Sequence, residues 1–183
     1  QFLKSQINPH FIFNTLNNIY SLVVSKSEKS LDAIEKLSDI MRFTTYETQK
    51  ERINIEEEIN YINSLIDLEA IRMSKAIQIQ VKISIDKENQ EIPPYIILPF
   101  VENCIKHGVI DSVENPVLIS VNCNQNVLTI LAENKINSNL KDQHSGIGFE
   151  NLKKRLEYYF PNKHKWDIEK NEIDFKSTLI IQL

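Results

Sequence analysis

At 183 residues, 42% hydrophobic and 25% charged, the chain has the composition of a soluble globular protein with room for one large core or two small ones. A net charge of −4 gives no bulk attraction for nucleic acid or an anionic membrane, so direct nucleic-acid binding is not expected. No apolar run approaches the ~20 residues of a membrane span, and no signal peptide is visible. Cys104 and Cys123 have no metal-type spacing and read as reduced thiols. The chain opens on Gln1 inside an amphipathic pattern, which points to a fragment of a longer protein.

The first fifty residues read as helical. Asn8 suits an N-cap and Pro9 the first helical turn. Phe11, Leu16, Ile19, Leu22 and Val23 then recur with a helical period. A polar break, Ser25-Lys26-Ser27-Glu28-Lys29-Ser30, precedes a second stripe of Leu31, Ile34, Leu37, Ile40, Met41 and Phe43. Two helices about a short turn make an antiparallel hairpin. A lone hairpin cannot bury both apolar faces, so the pattern predicts a homodimer closing a four-helix bundle.

The character changes from Glu51. Ile53-Asn54-Ile55 suits a short strand, and residues 56–73 suit a helix with acids in its first turn. Residues 77–85 alternate as a strand with one wet face. Pro93-Pro94 halts the chain and starts a helix running to His107. Residues 117–121 and 127–132 predict a hairpin across Asn122-Cys123-Asn124-Gln125-Asn126. A polar stretch over 135–145 precedes a helix over 148–160 and strands over 166–169 and 173–183. The expected fold class is α+β. A two-helix dimerisation hairpin occupies residues 1–50, and an α/β sandwich, a mixed sheet covered by helices on one face, occupies 51–183.

Chemistry-bearing side chains fall in three places. His10 sits near a helix start, where the dipole favours the neutral, nucleophilic imidazole, with Asn14 one turn on to orient a water or a phosphate. The alternative is a histidine packed in a helical core. Asn103, Lys106 and His107 share a helix face, a set that suits a triphosphate with its magnesium: the amide oxygen can ligate the metal and the ammonium can neutralise phosphate. Glu102 is adjacent, and the alternative is a solvated helix end answering the dipole. Gly146 and Gly148, in Gly146-Ile147-Gly148-Phe149 before a helix, suit a phosphate cradle under a mobile lid, or an ordinary surface turn. His10, His107, His144 and His164 match no zinc spacing.

In this order the three regions resemble the autolysin-sensor (LytS-like) branch of bacterial sensor histidine kinases. The resemblance rests on Leu3-Lys4-Ser5-Gln6-Ile7-Asn8-Pro9-His10-Phe11-Ile12-Phe13-Asn14, on Met41-Arg42-Phe43, on the run from Ile92-Pro93-Pro94 to Gly108, and on Gly146-Ile147-Gly148-Phe149-Glu150-Asn151. It covers essentially the whole chain. It implies a dimerising hairpin followed by a Bergerat-type ATP-binding domain. ATP would bind with magnesium held near Asn103, and Lys106, His107, Asn134, Gly146 and Gly148 would contact the nucleotide. His10 would become phosphohistidine and pass its phosphoryl group to a response-regulator aspartate; Asn14 is a candidate for a dephosphorylation role. The parent would be an inner-membrane sensor with this part in the cytoplasm. Asn134 stands where such ATPases usually carry an adenine-binding aspartate, and Glu133-Asn134-Lys135-Ile136-Asn137 lacks their glycine. An asparagine still accepts from an amine, without charge. Phe11 follows the histidine where many kinases have an acid, so Glu102 is taken as the base. Leu98-Pro99 opens the asparagine box where polar residues are common. A non-catalytic dimeric scaffold and an ATPase without phosphotransfer are the alternatives.

Overall fold

The structure, a computed structural model, describes residues 9–73, 76–137 and 147–183. The side chains of Pro9, His10 and Ile147 are outside that description, and the N-cap expected at Asn8 lies outside the described residues.

Helices α1 (Pro9–Val24) and α2 (Ser30–Tyr46) form the expected hairpin. A third helix, α3 (Ile55–Arg72), packs on both. The α1 stripe divides: Thr15 and Ile19 are buried, with Phe11, Ile12 and Leu22 packed beside them, whereas Leu16 and Val23 are exposed. In α2, Ala33, Leu37, Ile40 and Phe43 are buried, while Leu31, Ile34 and Met41 face out. Helix α3 opens on a capping box: Asn54 accepts from Glu56 N at 3.1 Å, and Asn54 N donates to Glu57 at 3.2 Å. This reciprocal arrangement satisfies donors that a helix start leaves orphaned. Strand β1 is therefore only Ile53–Asn54, paired with β3 (Glu91–Ile92), and Ile55 belongs to the helix.

The second layer is a five-stranded mixed sheet ordered β2-β4-β5-β7-β6. Its strands are β2 (Ile79–Ile85), β4 (Val117–Asn124), β5 (Val127–Lys135), β6 (His164–Lys170) and β7 (Asp174–Gln182). Among the described strands only the β2–β4 pair is parallel. Alternation sets one buried face: Val117, Ile119, Val121 and Cys123 of β4, Leu128, Ile130 and Ala132 of β5, Leu179 and Ile181 of β7. Helices α4 (Leu98–His107) and α5 (Ile147–Tyr159) belong to the layer on that face, with Val101, Cys104, Leu152 and Leu156 buried. The sandwich covered on one face is thus observed.

Several expected boundaries move. The β4–β5 turn is two residues, Gln125 and Asn126, both with positive φ (51° and 63°), so β4 runs on through Asn124 into the predicted 122–126 loop. Positive φ at both central residues matches the twist of the flanking strands. Helix α4 starts at Leu98 rather than at Pro94, because Tyr95 adopts φ 64° and breaks the helical path. Ile77 precedes β2, which begins at Ile79.

Candidate nucleotide site

Helix α4 carries Glu102, Asn103, Lys106 and His107. Asn103 and His107 are half-buried; Glu102 and Lys106 are exposed. The end of α4 is joined to the end of β5. His107 O accepts from Asn137 N at 2.9 Å, Val109 N donates to Lys135 O at 2.8 Å, and Gly108 bridges Ile136. A Cβ at Gly108 would lie 2.5 Å from Cys104 O and 3.1 Å from Asn134 Nδ2, so the approach needs a glycine.

Asn134 lies in this joint, 6% exposed. Its Nδ2 donates to Lys135 O at 2.9 Å, while Oδ1 is buried with no partner among the described residues. Burying an acceptor unpaired costs about 1–3 kcal/mol, so such an atom fits a ligand donor. An adenine amino group has that chemistry.

Asn134 also borders a cleft of about 570 Å³ at the ends of the strands. Four of the charges there form two pairs, Lys135 with Asp174 at 2.6 Å and Glu133 with Lys176 at 3.0 Å. Asn103, Lys106 and His107 do not line it.

Protein around the Glu102 carboxyl raises its pKa, and Lys106 one turn on opposes the rise. Solvent reaches this exposed side chain and limits the effect. Burial first, and the Glu102 charge second, push the Tyr61 hydroxyl up.

Phe149 anchors the start of α5, with ring centroids 4.9 Å from Trp166 and 5.7 Å from Phe100. No described residue lies within 4 Å of a Cβ added at Gly148. Gly146, His144 and most of the polar stretch lie outside the described residues.

His10 is at the second position of α1, and Asn14, exposed, follows one turn later. Helix α1 packs on α2 and α3, and α4 packs on α3, α5, β4 and β5. The structure therefore brings Asn103, Lys106, His107 and Asn134 to neighbouring ends of α4 and β5, and sets His10 on a different layer. Helix α3 packs on both α1 and α4.

Sequence reasoning missed Glu58. It is fully buried on α3 and accepts from the backbone N–H groups of Ile97 at 2.9 Å, Leu98 at 2.8 Å and Ile96 at 3.3 Å. It caps the start of α4 from another helix. Burial raises its carboxyl to about 7 against the pull of those three donors and of Arg155. The signal was present: Glu58 falls on the apolar face of Ile55, Ile59, Ile62 and Leu65.

Residues 1–77 match the family model described as histidine kinase. The chain is 27% identical over 161 residues to the sensor histidine kinase BtsS of Escherichia coli, covering 86% of this chain and 28% of that protein. It is 30% identical over 148 residues to the sensor protein LytS of Staphylococcus epidermidis, covering 80% of this chain and 25% of that protein. It thus spans about a quarter of the length of these relatives. The fold is similar to the histidine kinase domain of a blue-light activated histidine kinase from Erythrobacter litoralis, with TM-score 0.53, 9% identity, and coverage of 93% of this chain and 94% of that one. It also resembles the catalytic domain of the histidine kinase ThkA, with TM-score 0.50, 15% identity, and coverage of 71% and 95%. Motifs, relatives and fold agree: residues 1–77 belong to the histidine kinase family, and the chain as a whole is similar to the LytS-like sensor kinases.

Proposed function

We propose that this chain is the kinase core of a two-component sensor, using ATP to phosphorylate His10 and passing the phosphoryl group to an aspartate of a response-regulator receiver domain. The carrying observation is the buried Oδ1 of Asn134, unpaired among the described residues and beside the end of α4, a ready acceptor for the adenine amino group. Asn103, Lys106 and His107 reach the phosphates from α4, and the space at Gly148, open among the described residues, suits close approach of phosphate oxygens to backbone, with Gly146 completing the cradle. Magnesium, when bound, supplies charge neutralisation on the phosphates, and the Asn103 carboxamide oxygen is its holder. The imidazole of His10 forms the new N–P bond as the γ-phosphoryl bond to ADP breaks; Glu102 takes the ring proton. Asn14 orients water for later hydrolysis.

The same reading divides the chain at residue 50 into a hairpin and an ATP-binding unit, and makes it the cytoplasmic portion of an inner-membrane protein anchored upstream. It also makes the chain a homodimer, since Phe13, Tyr20 and Leu31 are 67%, 70% and 78% exposed on the hairpin.

Incubation with γ-labelled ATP tests the kinase reading: acid-labile label is expected on the wild type and none on His10→Ala. Acid-stable label, or label persisting in the variant, overturns it. A second reading, a dimeric scaffold without catalysis, is favoured by the missing glycine in 133–137. Calorimetry separates the two, because micromolar ATP binding lost in Asn103→Ala excludes the scaffold.

A further inference from the structure

Helix α4 is positioned by the segment that precedes it, residues 95–98. Glu58 of α3 holds three of its N–H groups. The Tyr95 side chain also meets α2 and α5. Its ring stands edge-on to Phe43 of α2, centroids 5.9 Å apart at 87°, and the Arg155 guanidinium of α5 lies 5.7 Å from its centroid. Tyr95 holds φ 64°, which a bulky residue adopts only where its surroundings impose it. The bend directly precedes the three N–H groups held by Glu58, and it also brings one ring between the hairpin and α5.

We propose that Tyr95 is a positioning residue that joins the hairpin to the nucleotide unit, its ring transmitting the position of Phe43 on α2 to Arg155 on α5. The inference deepens the kinase reading and rests on it for the nucleotide. The hairpin carrying His10 has to answer to the state of the nucleotide site, and the contacts from Phe43 through Tyr95 to Arg155 supply a continuous side-chain path. Arg155 is 7% exposed, so its guanidinium has little freedom to absorb a shift of the ring.

Hydrogen exchange on the whole chain, with Tyr95→Gly and Tyr95→Phe, tests the joint. Glycine suits the observed φ, so the fold is kept while the ring is lost. In the wild type and in Tyr95→Phe, saturating magnesium–ATP is expected to slow exchange in α4 and, by about tenfold, at residues 40–46 of α2. In Tyr95→Gly the α4 protection stays and the α2 response disappears. An α2 response that persists in Tyr95→Gly, or that is missing from a wild type whose α4 is protected, overturns the proposal. A wild type in which ATP protects nothing is instead a failure of the nucleotide reading. The joint is then judged without nucleotide. Phe43→Leu is expected to speed exchange at residues 152–159 of α5 by about threefold alone, and to have no such effect when combined with Tyr95→Gly. Equal acceleration in both backgrounds, or none in either, overturns it.

Discussion

Two buried polar side chains on this molecule play opposite parts. Asn134 keeps an acceptor unpaired among the described residues, and Glu58 has three donors. For Asn134→Ala, loss of the bond to Lys135 O offsets relief of the orphaned Oδ1. The unfolding free energy is expected to stay within about 1 kcal/mol of wild type while ATP affinity falls at least ~10-fold. Denaturant titration and calorimetry read the two effects, and unchanged affinity would remove Asn134 from the adenine site. Glu58 makes stability depend on pH. Its folded pKa of about 7 lies above the unfolded value of 4.5. Between those values the folded chain holds the extra proton, so the Glu58 contribution declines as pH rises through that window and levels off above it. At 1.36 kcal/mol per unit the decline is about 3 kcal/mol. Glu58→Gln keeps an acceptor oxygen and removes the titration. The stability of wild type relative to the variant should therefore drop from pH 5 to pH 8, and a rise would contradict the assignment.

At the scale of elements, the joint between α4 and β5 is the tightest feature of the site. Gly108→Ala puts a methyl 2.5 Å from Cys104 O, backbone that cannot move without shifting the helix end. A loss of about 1–3 kcal/mol is expected, with weaker nucleotide binding because α4 and Asn134 separate. A fully stable variant with wild-type affinity would show the joint to be slack. The helices and strands of this joint were legible in the sequence as periodicity, and Lys106-His107-Gly108 stood out by composition. The joint was not, because the pairing of Val109 with Lys135 and of Asn137 with His107 links segments that share no local pattern. The shorter β4–β5 turn was hidden for a similar reason. Asn122 and Asn124 look like turn residues, but they point to the exposed face of β4, where a polar side chain is no obstacle to pairing.

At the scale of the whole molecule, the hairpin leaves large apolar side chains outside while α3 covers its other side. Leu16 is 47% exposed and Val23 52%, on the face that also carries Phe13 and Tyr20. A charge there meets water in a monomer and a desolvation cost in a dimer core. Leu16→Glu is expected to weaken dimerisation at least ~100-fold, about 2.7 kcal/mol, with unchanged far-ultraviolet dichroism. Sedimentation equilibrium reads the change, and a variant that remains as dimeric as wild type argues for another partner on this face.

The sequence by itself determined the elements, the family and the residues that the proposed chemistry uses. Those are carried by period, by caps and by side-chain type, all local properties. Only the tertiary structure decided that α3 packs on both the hairpin and α4, that Glu58 caps a helix forty residues away, that Asn134 keeps a buried acceptor open among the described residues, and that Tyr95 stands between Phe43 and Arg155. Each of these depends on which distant groups exclude water from one another. Burial turns a carboxylate or an amide from a soluble side chain into one that must find a partner, and the chain order does not say where that partner is.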